Sequence, residues 1–295
     1  MKLHNGFTRN ELAELMWKKP HFAQIELTRN CNFKCLFCFE NCDVANKYKD
    51  KSCEEWMKVI KELKNLGIRQ LHFSGGENFL YKDFIQIIKF TKEEEFEVII
   101  NTNGFFDITP IIEYSDEFIF SVHGYGKLND KITNGKDTFN HVEKNIERAL
   151  EKKKKVLINT VLIKDNFYQY LDLFKYLDNK YNNLMYSPTI AIECNTGKKT
   201  FNALELNTKT MHEYEKILNT IGEEKIVYKH GMRGLRILEK KEEFYMPVCA
   251  AGKSKLIIKY NGNVYPCNFF QADDYFCGNV FEDKIENIWK ERKRI

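Results

Sequence analysis

Three closely spaced cysteines carry the most recognisable chemistry in this chain. Cys31, Cys35 and Cys38 stand within eight residues, separated by three and then two residues. Three thiolates at this spacing can wrap one short loop around a cuboidal iron–sulfur cluster. A [4Fe–4S] cluster has four irons, so three cysteine ligands leave one iron open to a chelating molecule. The alternative is a closed site, holding zinc or a ferredoxin-like cluster, with Cys42 as fourth ligand.

Glycines and polar side chains follow three later segments that have the composition of strands. Gly75-Gly76-Glu77 follows the second predicted strand. Glycine lets a backbone approach a ligand closely, and the glutamate offers a carboxylate to an ammonium group. Amides and hydroxyls at strand ends can reach a ribose or a carboxylate, and here they belong to Asn101, Asn103 and Ser121. His123 is a candidate for substrate contact or for acid–base work near neutral pH, with a purely structural histidine as the alternative.

Together, these motifs resemble the radical S-adenosylmethionine (SAM) superfamily. The resemblance covers roughly residues 20–195 and depends on the cysteine motif after the first predicted strand and on Gly-Gly-Glu after the second. Asn78 stands where the family usually has proline. The resemblance implies that Cys31, Cys35 and Cys38 hold a [4Fe–4S] cluster. It also implies a SAM site made of Phe37, Gly75, Gly76, Glu77, Asn101, Asn103 and Ser121.

The resemblance also implies a reaction. The cluster would pass an electron to SAM, and the resulting 5′-deoxyadenosyl radical would take a hydrogen atom from a peptide or a small molecule. Oxidation, cross-linking and epimerisation remain open as outcomes, and a sugar or aminocyclitol dehydrogenase is an alternative within the superfamily. A reductant such as flavodoxin or ferredoxin is the implied partner. The alternative from another class is a non-catalytic protein that binds zinc or iron–sulfur for structure.

A second set of cysteines lies towards the C-terminus. Twelve residues separate Cys249 from Gly262, four more separate Gly262 from Cys267, and Cys277 follows. This spacing resembles the first half of the SPASM or twitch extensions of radical SAM enzymes. The resemblance implies one auxiliary [4Fe–4S] cluster on Cys249, Cys267 and Cys277, with an undecided fourth ligand. The alternatives are buried thiols without metal, or zinc.

Cys194 follows the last predicted strand of the barrel, at the rim where substrate is expected. A thiol at that place can return a hydrogen atom to a carbon radical, as an epimerisation requires. The alternative is incidental burial of the side chain.

Composition and charge narrow the class of protein further. Forty-six lysines and arginines against 42 aspartates and glutamates leave a net charge of +4, which gives no reason to expect nucleic acid as a partner. No stretch approaches the roughly 18 apolar residues of a membrane helix, and the N-terminus lacks the apolar run of a signal peptide. We therefore expect a cytoplasmic protein, whose nine cysteines serve metal, catalysis or burial rather than disulfides.

The elements that must position these residues alternate along the chain. The patterns predict strands at 21–27, 70–73, 97–101, 117–122, 155–163 and 185–192, with helices between them. Ser52, Glu55 and Gly67 mark the ends of the first helix. Six βα units predict an α/β fold, a partial (β/α)6 TIM-like barrel.

The rest of the chain predicts a small α+β extension, with a hairpin and a final helix at 284–292. Asn261-Gly262 lies between two apolar segments and predicts a hairpin with a primed turn. We expect an N-terminal extension at 1–20, the barrel at 21–205 and the cluster-binding extension at 206–295.

Overall fold

A computed structural model describes residues 20–42, 49–191, 203–227 and 251–292. Six strands pair in chain order, and every pairing among them is parallel. This arrangement confirms the predicted α/β class with a parallel sheet. The strands are β1 (Phe22–Glu26), β2 (Gln70–Ser74), β3 (Glu97–Thr102), β4 (Glu117–Ser121), β5 (Lys155–Leu162) and β6 (Leu184–Ile190).

Helices connect these strands and cover one face of the sheet. Between β3 and β4, where the sequence also predicts a helix, the chain forms a 3-10 helix, Thr109–Tyr114, which has proline near its start. None of the helices in the described part of the chain has the length and apolarity that crossing a bilayer requires. The α-helices are α1 (Cys53–Leu66), α2 (Phe84–Glu93), α3 (Lys127–Thr133), α4 (Thr138–Glu151), α5 (Tyr170–Lys180), α6 (Thr208–Ile221) and α7 (Ile285–Glu291).

Helix α1 begins and ends where the sequence predicts. The Ser52 hydroxyl accepts a hydrogen bond from the Glu55 backbone N–H at 3.2 Å, and the Glu55 carboxylate accepts one from the Ser52 N–H at 2.8 Å. Gly67 ends the helix at a φ of 97°, a left-handed conformation that glycine adopts without strain. Trp56 and Leu63 are fully buried against the sheet, so the capping residues place an apolar face on the core.

Side chains alternate between the two faces of β1. Ala23 and Ile25 lie in the main hydrophobic core between sheet and helices. Gln24 and Glu26 stand between them in the sequence and therefore point to the opposite face, inside the curved sheet, although both are buried. Polar side chains of β1 thus lie inside the barrel, at positions that alternate with the apolar residues of the core.

The C-terminal extension continues the same sheet. Strand β7 (Lys255–Ile258) pairs in parallel with β1, and β8 (Asn263–Tyr265) and β9 (Gly278–Asn279) follow in antiparallel order. The nine-stranded order is β6-β5-β4-β3-β2-β1-β7-β8-β9. Strand β1 is therefore an inner strand, with the barrel on one side and the extension on the other.

The hairpin between β7 and β8 is present, but the predicted primed turn is wrong. Lys259 N–H donates to Asn263 O at 2.9 Å, and Gly262 N–H donates to Lys259 O at 2.8 Å. These bonds enclose a three-residue loop. A primed turn of the Asn-Gly kind needs positive φ at both residues, whereas of Asn261 and Gly262 only the glycine has one, at 89°.

Helix α6 packs on the barrel although it lies beyond residue 205. Tyr214 donates a hydrogen bond to the Pro188 carbonyl of β6 at 2.8 Å, and Ile217 and Leu218 belong to the main core. The division of the chain at 205 stays a prediction.

Candidate active site at the mouth of the barrel

A cavity of about 220 Å³ opens at the carboxyl ends of the barrel strands. Its wall combines the loop that follows β1 with residues at or beyond the ends of β2, β3 and β4. Parallel strands all end at one edge of the sheet, and this brings residues distant in sequence together. The predicted site residues that line it are Cys31, Cys35, Cys38, Phe37, Gly75, Gly76, Asn101, Asn103, Ser121 and His123.

The two loops that carry the cysteines and the glycines are joined by backbone hydrogen bonds. Gly76 N–H donates to Thr28 O at 3.0 Å, and Glu77 N–H donates to Asn30 O at 2.8 Å. A Cβ atom on Gly76 would lie 2.1 Å from the Asn30 carbonyl oxygen, a distance that no side chain can occupy. Gly75 has a φ of 125°, which a side chain would also strain. Both glycines are therefore required for the close approach of the two loops.

Glu77 lies behind the cavity wall rather than on it. Its carboxylate is fully buried and accepts hydrogen bonds from the Thr102 hydroxyl at 2.9 Å and from the Asn103 N–H at 2.9 Å. Burial raises its pKa to about 7. The Asn103 side chain in turn donates to the Asn32 side chain at 2.8 Å, next to Cys31. In this geometry the carboxylate positions Asn103, and its contact with an ammonium group stays a prediction from the resemblance.

His123 is a neutral wall residue. Its Nδ1 accepts the Val161 N–H at 3.2 Å, and its ring packs edge-on against Phe37 at 4.7 Å between centroids. Burial lowers its pKa to about 3. A buried and hydrogen-bonded ring that carries no charge near neutral pH favours the alternative of a structural histidine, and acid–base work stays a prediction. His123 lines the cavity, and its contact with substrate also stays a prediction.

The cysteine loop supplies sulfur atoms that already accept backbone hydrogen bonds. Phe33 N–H lies 3.5 Å from Cys31 Sγ, and Cys42 N–H lies 3.4 Å from Cys38 Sγ. Burial raises the pKa of Cys31 to about 12. A hydrogen bond from the Cys42 side chain is the main reason that the pKa of Cys38 falls to about 7. Hydrogen bonds to the sulfurs are a usual feature of iron–sulfur sites.

The three predicted cluster ligands are brought to one place. Cys31, Cys35 and Cys38 face one cavity from one loop. Within the described ranges, no group of three or more histidine, cysteine, aspartate or glutamate side chains is placed to hold a single metal ion.

Several residues that the sequence did not assign to the cavity wall also face the cavity, among them Cys42 and Phe269. Cys42, considered only as a ligand of a closed site, is 3% exposed and lines the cavity beside Cys38. Phe269 reaches the cavity from the extension and lies 6.3 Å from Phe39 of the cysteine loop, measured between ring centroids. Its position two residues after Cys267 is the sequence signal that could have found it.

The C-terminal cysteines are only partly described. Cys267 is buried after β8. Cys277 precedes β9, where its N–H donates to Val264 O at 2.9 Å and its thiol to Tyr275 O at 3.4 Å. Cys249 and Cys194 lie outside the described residues. The ligand set of an auxiliary cluster therefore stays a prediction.

Family models match both parts of the chain. The model of the Radical SAM superfamily matches residues 25–177, and that of an iron–sulfur cluster-binding domain, SPASM, matches residues 249–295. The chain belongs to the Radical SAM superfamily. The protein is accordingly an enzyme that uses a [4Fe–4S] cluster and SAM, and its SPASM domain implies further iron–sulfur.

Individual proteins are similar over most of the chain. The probable GTP 3′,8-cyclase of Saccharolobus solfataricus is 26% identical over 293 residues, covering 90% of each chain. The structure of Streptococcus suis SuiB bound to S-adenosylmethionine matches with a TM-score of 0.75 and 21% identity over 92% of this chain. The match spans 65% of the SuiB chain, slightly less than two thirds. Native anSMEcpe with bound AdoMet matches with a TM-score of 0.70 and 19% identity, covering 92% of this chain and 80% of that one.

The contact between the two loops can be tested at Gly76. In Gly76→Ala the new methyl group would meet the Asn30 carbonyl, so the loops must separate and the cysteines must move. We expect the iron retained per chain to fall by about half, because the first cluster is lost while the iron assigned to the extension stays. Gly126→Ala is the control, because this glycine also has positive φ but no atom lies within 4 Å of its Cβ position. Equal iron contents in the two variants would contradict the assigned role of Gly76.

The protonation state of His123 can be tested by a pH profile. With a pKa of about 3, the ring takes up its second proton only below the range in which the enzyme can be assayed. His123→Gln should therefore keep the wild-type shape of the SAM-cleavage rate between pH 6 and 8.5, whatever its absolute rate. An ionisation near pH 6.5 that is present in the wild type and missing in the variant would contradict the neutral assignment.

Proposed function

We propose that this enzyme takes a hydrogen atom from an uncharged part of a peptide or small-molecule substrate, giving oxidation, cross-linking or epimerisation. The observation that carries the proposal is the cavity at the barrel mouth, which three cysteines of one loop share with the strand ends. When bound, the cluster and SAM supply the 5′-deoxyadenosyl radical that performs this abstraction. The chain supplies the ligands, the orientation and a cavity sheltered from water.

We assign different roles to the residues that line the cavity. Cys31, Cys35 and Cys38 would hold the cluster and leave one iron open. Gly75 and Gly76 line the cavity and have no side chains, so a ligand can approach their backbone closely. Amides and a hydroxyl at the ends of β3 and β4 offer hydrogen bonds to the polar parts of SAM, and two rings close the wall beside them. These are Asn101, Asn103 and Ser121 for the polar contacts, and Phe37 and His123 for the wall.

The lining favours a substrate whose reacting part is uncharged. Phe33, Phe39, Phe269 and Val161 contribute apolar surface, and the polar lining consists of amides, hydroxyls and thiols. Among the described residues that line the cavity, none carries a full charge apart from a cysteine thiolate. A peptide side chain or a neutral ring fits such a surface.

The extension would hold a second cluster and help to bind substrate. We assign Cys249, Cys267 and Cys277 as its ligands, in keeping with the SPASM match at 249–295. Phe269 extends from this part of the chain into the cavity, so a substrate there would meet both parts of the protein. Cys194 remains the proposed hydrogen donor for an epimerisation, and a flavodoxin or ferredoxin the proposed reductant.

Replacing the three cluster cysteines tests the assignment directly. Cys31→Ala, Cys35→Ala and Cys38→Ala together should lower the formation of 5′-deoxyadenosine under dithionite at least about a hundredfold, because the cluster that would bind and reduce SAM loses all three of its ligands. Cys53→Ala is the matched control, since this cysteine is buried in helix α1 away from the cavity. Undiminished cleavage in the triple variant would refute the proposal.

Iron counting tests the second cluster. Anaerobically reconstituted protein should hold about eight irons per chain, and about four after Cys249, Cys267 and Cys277 are all replaced by alanine. SAM cleavage should survive that change, because the first cluster keeps its ligands. A wild type that never exceeds four irons would show that the extension holds no cluster.

GTP cyclisation is a second candidate, favoured by the similarity to probable GTP 3′,8-cyclases. A triphosphate prefers arginine or lysine partners, which the described cavity lining lacks. We therefore expect GTP to leave the rate of 5′-deoxyadenosine formation unchanged and to yield no cyclised nucleotide by mass spectrometry. The Saccharolobus solfataricus relative is the control under the same conditions, and a cyclised product from this chain would establish the second candidate.

A further inference from the structure

A buried group of charges joins the extension to the cysteine loop. Lys259, directly after β7, is 5% exposed. Its ammonium nitrogen lies 2.7 Å from a carboxylate oxygen of Glu26 and 2.7 Å from one of Glu40. Both glutamates are at least 95% buried. One cation from the extension is therefore shared by two carboxylates that water barely reaches.

The two carboxylates belong to the elements that position the cluster ligands. Glu26 ends β1, five residues before Cys31, and Glu40 stands two residues after Cys38. Lys259 thus contacts both sides of the cysteine loop, at the strand that leads into it and at the segment that leaves it.

The extension makes further contacts with the same segment. The Gln271 side chain donates to the Glu40 carboxylate at 2.8 Å, and Phe269 packs beside Phe39. Deeper in the sheet, the side chains of Gln24 and Asn268 exchange hydrogen bonds at 3.3 and 3.1 Å. The contact at Lys259 is therefore part of a continuous interface rather than an isolated ion pair.

The energetics make Lys259 hard to replace. A buried pair gains little over an apolar substitute, but removing one partner leaves an uncompensated charge and is strongly destabilising. Without Lys259, two carboxylates would face each other in a site where burial and the neighbouring Glu40 already raise the pKa of Glu26 to about 7. The Arg29 guanidinium donates to the Glu40 backbone carbonyl and lowers the pKa of Glu26 less than Lys259 does. The repulsion would then be relieved by protonation of one glutamate or by movement of Glu40 away from Glu26, and such a movement would carry Cys38 with it.

We propose that Lys259 is a positioning residue for the first cluster: through it, the extension holds the cysteine loop in the geometry that binds iron and SAM. This role rests on the proposed assignment of Cys31, Cys35 and Cys38 as ligands. It gives the extension a function that is independent of any cluster of its own.

Electron paramagnetic resonance of the reduced full-length protein tests this role. The proposed SAM contacts share one cavity with Cys31, Cys35 and Cys38, so we expect the change in the spectrum on adding SAM to come from the first cluster. In Lys259→Met this change should fall about tenfold, because the loop loses its charge partner. Lys259→Arg keeps the cation and should restore most of it. Lys255→Met is the matched control, since Lys255 lies at the opposite end of the same strand, in register with Phe22.

Glu40→Gln provides a gentler variant that keeps the Glu26–Lys259 pair and the size of the side chain. It should weaken the SAM-dependent change by about twofold to threefold. An unchanged response in Lys259→Met would overturn the proposal, and if that variant does not fold, an unchanged response in Glu40→Gln would do so. A wild type that neither responds to SAM nor cleaves it would instead refute the proposed function.

Discussion

The close approach of two loops at Gly76 is the constraint on which the site depends. The loop after β1 carries the cysteines, and the loop after β2 lies so near to it that a single methyl group at Gly76 would overlap the Asn30 carbonyl. Two backbone hydrogen bonds fix this contact. Glu77 extends this contact to the next strand. Its buried carboxylate accepts a hydrogen bond from the Asn103 N–H, and the Asn103 side-chain amide donates to Asn32, the residue after Cys31.

The position of β1 in the sheet explains why the cysteine loop can be held from two directions. Strand β1 has β2 on one side and β7 on the other. Gly75 and Gly76 follow β2, and Lys259 follows β7. The strand on each side of β1 therefore leads to a residue that contacts the cysteine loop or the segments at its ends. The barrel and the extension are therefore joined by a shared sheet beside the candidate active site. A ligand in the cavity would be enclosed by both, as the position of Phe269 indicates.

Local patterns predicted the elements and much of the candidate site. The six barrel strands, the capping box of Ser52 and Glu55, and the convergence of Cys31, Cys38 and Ser121 on one cavity all follow from short-range sequence rules and from the geometry of parallel strands. The parallel pairing of β7 with β1 was not predictable in this way, because it joins segments more than 200 residues apart. The apolar pattern of β7 is equally compatible with a separate hairpin.

The sequence also did not reveal which polar side chains near the site are buried. The neutral state of His123 follows from complete desolvation by the packed loops, and the inward turn of Glu77 follows from donors supplied by β3. The Lys259 charge group has the same origin, since nothing near Glu40 in the sequence indicates its partner. The hairpin turn differed for a local reason, because Asn261 does not adopt the positive φ that a primed turn requires.

The proposed function requires one open iron in the first cluster, to which SAM binds at the mouth of the barrel. Mössbauer spectroscopy of protein enriched in iron-57 can detect that iron, in a variant whose Cys249, Cys267 and Cys277 are replaced by alanine so that one cluster remains. Adding SAM should shift the isomer shift of about a quarter of the iron, one site in four, and leave the rest unchanged. A spectrum in which no iron responds to SAM would contradict the account, since all four irons would then be closed to it.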